Sequence, residues 1–178
     1  MGDRLTATSD RRRICDPSDV ACDASGGPLL ALPAHWAGLP LAVFPIHPAL
    51  QSGPAHVDSA LVLMALRGRG RRWYRIEQHT TELRTAPGMS ELYGPDFQRS
   101  GARWLGEPGM TVAVSLTPVA VRALAPEAPT FELRTTHEVF DPKLQWVIHE
   151  LLDEAQRGAP GGALYAQACG LDAAIAGN

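Results

Sequence analysis

Apolar residues between Pro28 and Leu116 come in short runs that Gly and Pro repeatedly interrupt. Leu41, Ala42, Val43, Phe44, Pro45 and Ile46 form one run, and residues 60–66 (ALVLMAL) form another that composition alone would allow as helix or strand. Its flanks decide for a strand. Gly68, Arg69 and Gly70 supply a turn, after which residues 71–77 (RRWYRIE) alternate polar and apolar. The two segments are predicted to pair as a hairpin. Further strands are predicted at 81–85, 89–93 and 102–105, separated by Pro87-Gly88 and Gly94-Pro95-Asp96, which suit turns and break helices. In residues 110–116 (MTVAVSL), period-two alternation places Met110, Val112, Val114 and Leu116 inward, with Thr111, Ala113 and Ser115 on the other side. Several short strands at this spacing predict a sandwich or barrel.

The period changes after Thr117. Residues 118–125 suit a short helix with Pro118 in its first turn, and 131–134 a short extended piece. Asp141 is a good N-cap and Pro142 fits the first helical position. Leu144, Val147, Ile148, Leu151, Leu152 and Ala155 then recur on one helical stripe, and Gly158 stops it. A second helix is predicted from Ala163, with Leu164, Ala168, Leu171 and Ile175 aligned. The expected architecture is α+β: a small β-barrel followed by an antiparallel helix pair. The expected division is a polar leader at 1–27, read as disordered or as an arm over a pocket, a barrel at 28–135 and helices at 136–178.

Composition narrows the functional classes. The 178 residues suit one domain, and a net charge of -3 opposes a phosphate-binding surface. Cys15, Cys22 and Cys169 have no metal-like spacing and read as reduced thiols, with a redox pair of Cys15 and Cys22 as the alternative. No run approaches a membrane span, and Arg11, Arg12 and Arg13 are not followed by the apolar stretch of a secretory signal. A cytoplasmic protein without membrane partners is expected.

Catalytic motifs are searched for with little return. The six His residues are well separated, and His56 with Asp58 is the best metal candidate. A metal-dependent oxygenase would need two His and a carboxylate converging, so no metal and no other cofactor are expected. No nucleophile elbow or phosphate-cradling loop is present. The arginine-rich run 67–72 reads as a solvated hairpin tip. A barrel of this size either fills with side chains or holds one small ligand. His56, Met64, Tyr74, Tyr93, Phe97 and Trp104 are the candidate ligand contacts, with Arg103 as a further polar handle. For each aromatic taken singly, core packing is the competing role. No catalytic residue is assigned, and the chain is not expected to be an enzyme.

The order of features resembles the N-terminal half of AraC-type transcription regulators. The resemblance is carried by Trp36 to Leu41, by Gly68-Arg69-Gly70 followed by Trp73 to Ile76, and by Pro87-Gly88 through Pro95. It continues through Arg103-Trp104, 110–118, Phe131 to Arg134, Asp141-Pro142-x-Leu144, Gly161-Gly162 and Leu164-Tyr165-Ala166. It implies a cupin-like barrel that binds a small effector and a helix pair that makes a homodimer. Leu144, Val147, Ile148, Leu151 and Leu152 would form the interface. DNA contact would come only through a helix-turn-helix domain expected beyond residue 178. The alternative is a small cupin-fold enzyme, an isomerase or a metal-dependent oxygenase.

Overall fold

The computed structural model describes residues 12–20, 27–36, 38–119, 122 and 133–161. Its strands are β1 (Arg12–Ile14), β2 (Leu41–Ile46), β3 (Gln51–Ser52), β4 (Ala55–Val57), β5 (Ala60–Arg67) and β6 (Gly70–Ile76). They continue as β7 (His79–Thr85), β8 (Ser90–Tyr93), β9 (Gln98–Arg99), β10 (Gly101–Gly106), β11 (Gly109–Leu116) and β12 (Thr136–Val139). The helix α1 (Pro142–Gln156) follows.

Three sheets form: β12-β8-β5-β11-β2, β3-β10-β6-β7 and β1-β4-β9. The chain crosses repeatedly between the two larger sheets, so β5 pairs with β8 and β11 while β6 pairs with β7 and β10. This interleaved antiparallel order is that of a double-sheet jelly roll: of the sandwich or barrel that strand spacing allowed, the sandwich forms, in place of the small barrel expected. The predicted hairpin of 60–66 with 71–77 does not form. β5 and β6 lie in different sheets, and β6 turns back instead on β7, with Ile76 opposite His79. The crossing is made at Gly68, whose φ of 87° needs glycine, and a Cβ there would meet Gly109 Cα at 2.7 Å.

The five-stranded sheet is buried on both faces. One face carries Leu41, Val43, Val62, Met64, Leu92, Val112, Val114 and Leu116, packed on α1. The other carries Ala42, Phe44, Leu61, Leu63, Tyr93 and Ala113, packed against Tyr74, Leu83 and Trp104 of the four-stranded sheet. The alternation in 110–116 therefore divides two cores: Val112, Val114 and Leu116 face the helix, while the face with Ala113 looks between the sheets.

α1 starts as the sequence predicts. The Asp141 carboxylate accepts from the backbone N–H groups of Lys143 at 2.8 Å and Leu144 at 3.2 Å, and Gly158 follows the last turn with φ 80°. Its apolar stripe is spent within the chain: Leu144, Val147, Ile148, Leu151 and Leu152 are all buried against the sheet. The assignment of these five residues to a dimer interface is corrected accordingly. β12 also pairs with β8, so the sandwich extends past the expected boundary at 135. The predicted second helix lies outside the described residues, as does most of 118–125; of the extended piece at 131–134, only Leu133 and Arg134 are described. Among the described residues no helix is long and apolar enough to cross a membrane.

Residues 12–20 fall within the stretch expected as a disordered leader or an arm, and they pack on the sandwich. β1 runs parallel to β4, Ile14 is buried, and Asp58 accepts from the Arg13 guanidinium and from the Cys15 thiol at 3.2 Å. That thiol is pushed up in pKa, chiefly by its hydrogen bond to Asp58, which disfavours the reactive thiolate a redox pair would need. Cys22 lies outside the described residues.

Leu151 is 1% exposed at the centre of the helix–sheet core. Leu151→Ala is expected to lower unfolding stability by about 2–5 kcal/mol, as deletion of a buried leucine leaves a cavity. Urea denaturation checks this; a loss below about 1 kcal/mol would show that the stripe is not core.

Candidate functional site

Between the sheets lies a cavity of about 70 Å³. The five-stranded sheet contributes Phe44, Ile46, Leu61, Leu63 and Tyr93, while the four-stranded sheet contributes Arg72, Tyr74, Ala102 and Trp104. Ile14 and Val20 of the arm close one side with Val57. Of the predicted contacts, Tyr74, Tyr93, Phe97 and Trp104 do line it, and Arg103 stands at its solvent side. The rings interlock: Phe97 sits 4.8 Å from Tyr93 and 6.2 Å from Tyr74, centroid to centroid.

Met64 and His56 do not belong to this lining. Met64 follows Leu63 on β5 and so points to the α1 side, where it is fully buried. His56 lies between Ala55 and Val57, which face the core, and its Nε2 meets Asp58 at 3.1 Å instead. Among the described residues no three His, Cys, Asp or Glu side chains converge as a metal site.

The cavity floor holds a charged cluster that sequence reasoning assigned elsewhere. Arg72, read as part of a solvated tip, is inside: its Nη1 donates to Glu91 at 3.1 Å and to the Tyr74 hydroxyl at 3.0 Å. Glu91 Oε2 is also the acceptor for the Tyr74 and Tyr93 hydroxyls. Side-chain exposures of 11% for Arg72 and 8% for Glu91 make this a buried ion pair. Burial works against the Arg72 charge, but Glu91 and the two tyrosines more than offset it, so the guanidinium stays charged. Burial raises the pKa of both phenols, keeping them protonated donors at neutral pH. A signal for Arg72 and Glu91 existed in the sequence. Each sits two residues from a tyrosine already placed inward, Arg72 with Tyr74 and Glu91 with Tyr93, and strand parity puts them on the same face.

His137 on β12 completes the cluster, stacked on Tyr74 at 5.7 Å and edge-on to Tyr93 at 5.6 Å. Its Nδ1 is buried without a partner. Burial depresses its pKa, with a smaller push from Arg72, while Glu91 and Glu138 pull the other way.

No protein-family model matches the chain, and no curated protein does. Among solved structures it is similar to a cupin domain from Bordetella pertussis, with 10% identity, TM-score 0.40, and coverage of 50% of this chain and 92% of that one. It is also similar to hazelnut (Corylus avellana) vicilin, with 21% identity, TM-score 0.36 and coverage of 44% and 22%. A third likeness is to Bacillus subtilis oxalate decarboxylase, with 14% identity, TM-score 0.36 and coverage of 44% and 21%. The chain thus spans less than a quarter of the vicilin and the decarboxylase. The strand order by itself defines a double-sheet jelly-roll sandwich, an architecture that includes cupins.

Two outcomes follow from the cluster. Arg72→Met alone strands the buried Glu91 charge and is expected to cost about 3–5 kcal/mol, whereas Arg72→Met with Glu91→Gln recovers most of it. Urea melts of the single and double variants decide; equal losses would mean the pair is not coupled. The depressed His137 pKa means the unfolded chain binds that proton more readily. Its stabilising contribution is therefore present above the ordinary value of 6.5 and lost as pH falls through the lower folded value. Stability should fall from pH 7.5 to about 5.5 more steeply in the native protein than in His137→Phe. Parallel pH profiles would refute the assignment.

Proposed function

We propose that this chain is a ligand-sensing domain in which a small molecule between the sheets biases the packing of α1 on the far side of the same sheet. One observation carries the reading. β5 places Leu61 and Leu63 against the cavity and Val62 and Met64 against the helix core, so a displacement of that strand is felt on both faces. A ligand acts on such an equilibrium only through its differential affinity for the two arrangements. The sequence resemblance to AraC-type regulators supplies the output: a homodimer whose DNA contact comes from a separate helix-turn-helix domain. With the inward stripe of α1 occupied, the dimer contact belongs to its outward face, where Trp146 is 54% exposed.

A small cupin-fold enzyme is the second reading, favoured by one feature. Glu91, two tyrosines, Arg72 and His137 form a titratable cluster beside a cavity, an arrangement that also suits acid–base chemistry.

The test is a melting screen with small alcohols, amides and acids, followed by hydrogen exchange. A binder at about a hundredfold its Kd should add about 2.7 kcal/mol by mass action. The sensing reading expects slower exchange in α1 as well as in β5 and β6. Protection confined to the cavity strands would overturn it, and consumption of the ligand would favour the enzyme.

A further inference from the structure

The side chains that line the cavity are rich in hydrogen-bond donors and poor in acceptors. Arg72, Arg103 and the Trp104 indole can only donate. The groups able to accept are the Tyr74, Tyr93 and Ser52 hydroxyls. Ser52 accepts from Arg99 at 2.6 Å and the Tyr74 hydroxyl from Arg72 at 3.0 Å, while both phenols spend their O–H groups on Glu91. Among the described residues no Asp, Glu, Asn, Gln or His lines the cavity.

Donors, by contrast, remain unused. Trp104 is 4% exposed and its Nε1–H has no partner, although a buried N–H left unmet costs about 1–3 kcal/mol in general. Arg72 is held through Nη1, which leaves the rest of its guanidinium without a partner among the described residues. Its Cζ lies 5.9 Å from the Trp104 ring centroid, so the two donor-bearing side chains are neighbours on the cavity lining. Glu91 borders a separate small crevice, and Arg72 borders both spaces. The carboxylate therefore fixes the guanidinium from behind and does not face an occupant.

We infer that the occupant is a short-chain aliphatic carboxylate, its head on Arg72 and Trp104 and its tail against Phe44, Leu61 and Leu63. This rests on the ligand-sensing reading and names the ligand class for it. An anionic acceptor pairs with guanidinium through charge-assisted bonds, which are stronger than those a neutral acceptor makes. Arg103, exposed at the solvent side, adds attraction during entry. Size sets the chain length. A cavity of about 70 Å³ is half the roughly 150 Å³ that accepts benzene, which favours a chain of about two to four carbons over an aromatic acid.

The experiment is isothermal calorimetry on the whole chain with sodium propionate, propionamide, 1-propanol and sodium benzoate at matched ionic strength. Propionate is expected to bind about tenfold tighter than propionamide, the scale of one charge-assisted bond. Trp104→Phe keeps a ring in place and removes the orphan donor, and should cut that preference to about threefold. The Arg72→Met, Glu91→Gln pair should abolish it; should that variant not fold, Trp104→Phe alone decides. Amide binding equal to propionate overturns the carboxylate assignment but leaves the sensing reading standing. Benzoate binding as tightly as propionate overturns the size limit, and hence the short-chain assignment. Binding by none of the four overturns both readings. An unchanged preference in Trp104→Phe overturns the proposed head-group site.

Discussion

A sheet buried on both faces has no free surface to give away. In the five-stranded sheet every second residue of β2, β5, β8 and β11 must satisfy the helix layer, and every other one the space between the sheets. Antiparallel sheets more often keep one wet face. Here the covering helix removes it, and side chains on both faces answer to packing. The cavity lies where the inner face, at Phe44, Ile46, Leu61, Leu63 and Tyr93, does not meet the opposite sheet completely. The position of α1 and the shape of the cavity are therefore set by the same strands.

The buried ion pair adds a second constraint. Arg72 and Glu91 come from different sheets, β6 and β8, and each is shielded by a tyrosine from its own strand. Such a pair is weak evidence for stability, because desolvation takes back much of the attraction. Its consequence is geometric. Two sheets joined by a charge pair and two phenols have one low-energy register, where apolar contact alone would allow sliding. Glu138 reinforces the same corner, accepting from the Arg84 backbone N–H at 2.5 Å to tie β12 to β7.

Periodicity made the strands and α1 legible. Nearly every predicted strand is present within a residue or two, and the Asp141 cap is realised through its carboxylate. Pairing was less legible, because β5 and β6 are joined by a turn short enough for a hairpin and only tertiary packing sends them to opposite sheets. Four of the six predicted contacts line the cavity because aromatic residues on alternating strands rarely stay outside. Met64 was misplaced by one residue of parity, which inverts the face. Arg72 was missed because its charge was weighed above its register, and Ile14 because a single isoleucine among charges and polar groups carries no periodic signal.

The arm offers a final consequence. Its hold on the body is three residues of parallel pairing plus the contacts gathered at Asp58, far less than the ladders that join the central strands. Small units of this kind open many times for each global unfolding event. Since Ile14 and Val20 close one side of the cavity, that wall belongs to a part of the fold held by a short ladder, and its integrity leans on the carboxylate of Asp58.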